Sequence, residues 1–304
     1  LKNIWLVFSI IIVAVLVVGC QPLKTGSDNR KTVVVTYSVL GSLVKELVGD
    51  KAEIIVSIPN GQDPHEWQPS ARDIENINNA SLVVCNGLGL ENGLIKTLEA
   101  ASQKRVPIFS ATDYVMVRHV GSEEGIPSGD PDQAIGAADP HVWMDPISMQ
   151  SMVAALASHL KSELNIEVGD DSKRLQTELA DLDQEIRQTL NPIPESSRKL
   201  VTGHESLGYF AERYKFKLIG AIVPSISTQA AVSAADMASL KTLIQENQVK
   251  AIFTELGTSP AAAKAISEET HVKVIELNTH KLPPDGRYDT FMKSLALDIV
   301  EGLK

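Results

Sequence analysis

Seven histidines stand at 65, 119, 141, 159, 204, 271 and 280, and two of them share a five-residue frame. Asp63-Pro64-His65-Glu66-Trp67 and Asp139-Pro140-His141-Val142-Trp143 both read Asp-Pro-His-x-Trp. Neutral imidazole is a ligand for zinc and its neighbours in the transition series. A proline before the histidine stiffens the turn that presents it, and the tryptophan can pack beside the ring to hold its rotamer. His204, in Thr202-Gly203-His204-Glu205-Ser206, and His280, in Asn278-Thr279-His280-Lys281, complete a set of four. The other three read as structural. His159 lies inside an apolar helical stretch, His271 ends a helix where a cation suits the dipole, and His119 sits in a Gly- and acid-rich loop.

The four candidates are placed by a repeated pattern of elements. Apolar, β-branched runs at 33–39, 53–58, 82–88 and 106–111 alternate with helical patterns near 40–49, 70–80, 90–102 and 146–164. Continuous apolar runs separated by helices are the mark of parallel strands covered on both faces. A long polar segment follows, Asp170 to Leu190, with Leu175, Leu179, Leu182, Ile186 and Leu190 at helical spacing. The alternation then resumes, with strands at 199–202, 217–223, 250–255 and 273–278 and helices at 206–215, 233–247, 259–270 and 289–303. The expected fold is α/β: two lobes, each a four-stranded parallel sheet flanked by helices, joined by one long rigid helix. The long helix in the middle argues against a single eight-stranded barrel. The lobes are assigned to residues 32–165 and 196–304, and the linking helix to 166–195. In open parallel sheets, ligand groups gather beyond the carboxyl ends of the strands. His65, His141, His204 and His280 all follow strands, two in each lobe, so they are expected to converge on the cleft.

The chain has 304 residues, with 28 Lys+Arg against 38 Asp+Glu, a net charge of −10 and 5% aromatic residues. That balance excludes a broad electrostatic grip on nucleic acid. Residues 1–19 carry one lysine, an apolar run from Ile4 to Val18 and then Gly19 before Cys20, the arrangement of an export signal. The ending Leu16-Val17-Val18-Gly19-Cys20 is similar to a lipobox, in which cleavage leaves a diacylglycerol on Cys20. Residues 20–31 then form a tether, and the mature protein is extracytoplasmic and lipid-anchored rather than spanning. Cys85, in the strand Leu82-Val83-Val84-Cys85, reads as a small buried hydrophobe.

Taken in order, these motifs resemble the cluster A-I solute-binding proteins, the metal-binding lipoproteins of bacterial ABC importers for zinc and manganese. The lipobox, Asp63-Pro64-His65-Glu66, Asn86-Gly87-Leu88 before Leu90-Glu91, Asp139-Pro140-His141-Val142-Trp143, His204 to Tyr209-Phe210, Phe253-Thr254-Glu255 and Asp285-Gly286-x-Tyr288 carry the likeness. It implies a monomeric receptor, not an enzyme, that hands a divalent cation to a permease. It places His65, His141 and His204 at ligand positions. The fourth position is usually Asp and aligns here with His280, with Glu255, Asp285 or a water as alternatives there and Glu205 as the alternative to His204. Zn²⁺ is the expected cargo, because three or four neutral imidazoles favour it over the harder Mn²⁺. A manganese receptor and an adhesin-like surface lipoprotein are the alternatives. A zinc hydrolase using Glu205 or Glu66 as general base is the competing enzyme class. Residues 117–138, with four glycines and four acids, are expected to form a loop over the cleft mouth.

Overall fold

A computed structural model of the chain describes residues 30–122, 124 and 135–304. The export signal, Cys20 and most of the tether lie outside the described residues, as does the middle of the 117–138 loop. Val33, Val34 and Val35 are fully buried, as expected of a strand covered on both sides, and belong to β1 (Thr32–Tyr37). The first sheet adds β2 (Glu53–Ile58), β3 (Leu82–Cys85) and β4 (Ile108–Ser110) in the order β2-β1-β3-β4. The second contains β5 (Lys199–Thr202), β6 (Lys217–Ala221), β7 (Ala251–Thr254) and β8 (Lys273–Glu276) in the order β6-β5-β7-β8. All pairings in both sheets are parallel. The second sheet therefore repeats the first, strand for strand.

Six of the eight strands are shorter at the carboxyl end than the apolar run suggests, while 53–58 and 199–202 end as expected. The run 33–39 ends at Tyr37, and Ser38 already starts α1 (Ser38–Val48). Strands expected to reach 88, 223 and 278 stop at Cys85, Ala221 and Glu276. Val39, in α1, and Ile222, Val223 and Leu277, in the loops beyond the strands, are buried by tertiary packing rather than by a ladder, while Leu88 is exposed. The remaining helices are α2 (Ala71–Asn78), α3 (Ile95–Gln103), α4 (Pro146–Leu164), α5 (Gly169–Leu190), α6 (Gly208–Tyr214), α7 (Ala234–Glu246), α8 (Pro260–Thr270) and α9 (Tyr288–Leu303). Their starts are written in local sequence. Ser70 with Asp73 and Ser233 with Asp236 form capping boxes, and Asp145 caps α4 ahead of Pro146 at its first position.

α5 is the expected long helix, about 33 Å at 1.5 Å per residue. It buries Leu175, Leu179, Leu182, Ile186 and Leu190 and packs on α1, α4 and α9. One hydrophobic cluster runs through both halves, from Val33 in β1 to Leu200 in β5 and Phe291 in α9. A smaller cluster around Val201, Ile219, Ile252 and Ile266 covers the outer face of the second sheet. The two sheets thus share a core across α5 and α9. Among the described residues no helix is long and apolar enough to cross a membrane.

Candidate metal centre

His65, His141 and His204 come together at the carboxyl ends of the strands, each almost wholly buried. His141 Nε2 lies 3.3 Å from His65 Nε2 and 3.3 Å from His204 Nε2. Four nitrogens bound tetrahedrally at 2.0–2.1 Å around a zinc ion are separated by about 3.3 Å. The spacing therefore fits three corners of such a tetrahedron, with one corner left for a further donor.

The two Asp-Pro-His segments fold into the same turn. Asp63 Oδ1 accepts the backbone N–H of His65 at 2.9 Å, and Asp139 Oδ1 accepts that of His141 at 2.9 Å. Their surroundings differ. Asp139 Oδ1 also meets His141 Nδ1 at 2.8 Å. With that nitrogen as donor, the Nε2 lone pair is turned toward the cluster. Arg118 Nη1 donates to Asp139 Oδ2 at 3.1 Å, and Tyr209 Oη donates to the Asp139 carbonyl at 3.0 Å. Arg118 is also paired with Glu124. Burial would raise the Asp139 carboxyl, but the hydrogen bond and charge of His141 and the Arg118 guanidinium outweigh it and hold it below its ordinary value. Asn86 Nδ2 donates to the Pro140 carbonyl at 2.8 Å, and the Asn86 backbone donates to buried Glu91. This gives the Asn86-to-Glu91 motif its structural sense. Gly208 completes the packing, since a Cβ there would collide with Asp139 Oδ2 and Arg118.

His204 leaves the end of β5. Its backbone N–H donates to Glu255 Oε1 at 3.1 Å, and its Nδ1 stands 3.2 Å from the same oxygen. Ser206 Oγ donates to Glu255 Oε2 at 2.6 Å. Burial opposes the charge on both partners. Even so, Glu255 drives the His204 imidazole above its usual range, and His204 with these hydrogen bonds draws Glu255 down to about 2. His65 is pushed well below its usual value by burial and by its histidine neighbours. His280 falls to about 3, chiefly by burial. His65 and His280 are thus held as neutral imidazoles, the form a metal requires.

His280 stacks on His204 with ring centroids 5.9 Å apart, and Tyr37 Oη lies 2.9 Å from its Nδ1. That contact leaves His280 Nε2 buried and without a hydrogen-bond partner. His280 groups with His204 and Glu255 rather than with His65 and His141. The structure therefore offers both His280 and Glu255 on the side of the missing corner. A cavity of about 710 Å³ reaches Glu255, Thr279 and His280 past Gly61 and Lys281.

The other sequence candidates fall elsewhere. Asp285 is exposed, and its carboxylate accepts from the Arg287 backbone and Thr290 Oγ1 at the start of α9, which corrects its reading as an alternative ligand. Glu205 is buried but belongs to neither ligand grouping, and burial pushes its carboxyl up to about 8. Arg118, Glu124, His204 and Asp139 are the charges that act on it. Glu66 is exposed. Trp143 does flank its histidine, with ring centroids 5.2 Å apart. Trp67 does not repeat this and packs half-buried against the core. His119 is exposed and forms an antiparallel bridge with Ala138, so the base of the expected loop is a short paired ribbon. His159 meets Phe109 and Tyr114, and His271 takes the left-handed cap after α8, both structural. Sequence reading missed Tyr37, which meets His280, and Arg118 and Thr228, which hold the aspartates of the two Asp-Pro-His turns.

Two sheets of equal topology with histidines converging between their carboxyl ends define a bilobed solute-binding receptor. The chain belongs to the family described as zinc-uptake complex component A, periplasmic, whose model matches residues 33–302. That family is one of receptors, not enzymes. The chain is 28% identical over 295 residues to the manganese ABC transporter substrate-binding lipoprotein PsaA of Streptococcus pneumoniae, covering 92% of this chain and 91% of that protein. It is 30% identical over 268 residues to the high-affinity zinc uptake system protein ZnuA of Bacillus subtilis, covering 86% and 83%. The fold matches that of the periplasmic zinc binding protein TroA from Treponema pallidum, with a TM-score of 0.77 at 23% identity over 90% of this chain and 99% of that one.

Proposed function

We propose that this protein captures a divalent cation, Zn²⁺ in preference to Mn²⁺, between its two sheets and delivers it to the permease of an ABC importer. His65, His141 and His204 are the ligands, and His280 or Glu255 supplies the fourth donor. The protein works outside the cytoplasm as a monomer, held to the membrane by lipid on Cys20. The observation that carries this reading is the pair of 3.3 Å Nε2 separations among three buried histidines. Relatives are named for both metals, so the preference rests on ligand chemistry. Neutral imidazoles suit zinc, and the Irving–Williams order adds to that bias, whereas manganese is better served by carboxylate and water. Glu255 beside His204 is the feature that serves the manganese reading.

Competition titration of the purified protein with a chromophoric chelator, first against Zn²⁺ and then Mn²⁺, tests the assignment. One equivalent of Zn²⁺ held more tightly than Mn²⁺ is the expected result. Tighter Mn²⁺ binding overturns the zinc preference, and binding of neither overturns the receptor. For the anchor, Cys20→Ser is expected to release the protein from membranes, and unchanged retention contradicts it.

A further inference from the structure

We infer that Thr228, on the loop after β6, is a positioning residue that makes the hold of His65 on the metal depend on the opposite half of the molecule. The Thr228 hydroxyl donates to Asp63 Oδ2 at 2.7 Å, across 165 positions of sequence. The other oxygen of the same carboxylate accepts the His65 backbone N–H. One residue further on, Gln229 Nε2 donates to the His65 carbonyl at 2.7 Å. Both peptide groups of His65 are thus tied, directly or through Asp63, to a loop of the second half. Gly257, with a φ of 86°, closes the remaining side. A Cβ there would lie 2.9 Å from Thr228 Cγ2 and 3.2 Å from Asp63 Oδ2. The strained conformation and the tight space leave room only for glycine.

His141 has no such dependence for its turn on the 225–232 loop. Asp139 is secured by Arg118, and Pro140 by Asn86, both from its own half, and the second half adds one bond, Tyr209 Oη to the Asp139 carbonyl. Hydrogen-bond partners of a metal-binding residue set its orientation and its affinity. When the two halves separate, the His141 turn loses Tyr209 but keeps Arg118 and Asn86, whereas His65 loses Thr228 and Gln229 together. His65 is therefore the first ligand to let go, and Thr228 sets how fast. This inference rests on the receptor reading above.

The test is metal release, followed by stopped-flow mixing of the zinc-loaded full-length protein with excess chelator. Thr228→Val removes the donor at nearly constant shape and is expected to speed release about tenfold, the lower end of what outer hydrogen-bond partners carry. Thr228→Ser, which keeps the hydroxyl, is expected to stay close to wild type. The control is Asn60→Ala. It removes two other bonds between the halves, Asn60 Nδ2 to the Leu282 carbonyl at 3.0 Å and Leu282 N–H to Asn60 Oδ1 at 2.7 Å, without touching the turn of His65. It is expected to leave release within about threefold of wild type. Release from Thr228→Val at the wild-type rate overturns the inference, and so does equal acceleration by Asn60→Ala, which would assign the effect to closure in general. If Thr228→Val does not fold, Thr228→Ala carries the same expectation. A wild type that binds neither Zn²⁺ nor Mn²⁺ defeats the receptor reading, whereas a wild type that binds while Thr228→Val behaves identically defeats only this inference.

Discussion

The two Asp-Pro-His turns have the same local sequence and the same backbone hydrogen bond, yet they are held in opposite ways. Around His141 the aspartate is fully buried, bonded to the ring and locked to Arg118 and Tyr209. Around His65 the aspartate is half-buried, accepts from the backbone N–H, and shares its second oxygen with Thr228. The same motif thus builds one histidine held mainly by its own half and one held by the opposite half. On the proposed function, in which both are ligands, this asymmetry gives tight binding and release to different histidines.

The largest expected effect is loss of the histidine held mainly by its own half. His141→Ala is expected to weaken zinc binding by more than about a hundredfold, beyond the range that outer partners carry. His65→Ala is expected to weaken it less, because the His141 turn stays formed. Competition titration of both variants checks this, and equal losses would erase the asymmetry.

Removing the carboxylates sharpens the comparison on stability rather than affinity. Asp139→Ala removes one of the carboxylates that pair a buried guanidinium, leaving Glu124, and is expected to destabilise the metal-free protein by about 2 kcal/mol. Asp63→Ala deletes hydrogen bonds at a half-buried position and is expected to cost about 1 kcal/mol. Urea denaturation of both variants measures the difference, and a larger cost at Asp63 would contradict it.

The smallest effect concerns pH on the His141 side. Burial, with Arg118 opposing it, lifts Glu205 from 4.5 to about 8. The folded state therefore keeps a proton that the unfolded chain loses. This contribution is fully present below the unfolded value and falls away as pH rises toward the folded one. Metal-free wild type is expected to lose stability between about pH 5 and pH 8 more steeply than Glu205→Gln. Parallel slopes would remove Glu205 from the account.

The convergence of the proposed ligands was legible because three of its signals are local. A doubled five-residue motif, a position just after an apolar strand and the alternation of strands with helices can all be read along a line. The lobes and the long helix of Leu175 to Leu190 followed from periodicity for the same reason. What could not be read depends on contacts between distant segments. Tyr37 meets His280 across 243 positions, Thr228 meets Asp63 across 165, and Arg118 reaches Asp139 through a loop with no periodic signal. The motif also concealed its own asymmetry. Trp143 lies against His141 and donates to the Thr279 carbonyl at 3.2 Å, whereas Trp67 faces the core, although the two sequences predict one role. Asp285 looked like a ligand in sequence because the Asp-Gly turn before the last helix needs a carboxylate for its own backbone.

A crystal structure of the zinc-loaded protein with anomalous scattering at the zinc edge tests the central claim most directly. One anomalous peak is predicted about 2.0–2.1 Å from the Nε2 atoms of His65, His141 and His204. A peak that touches fewer than two of these rings, or lies elsewhere in the molecule, would contradict it.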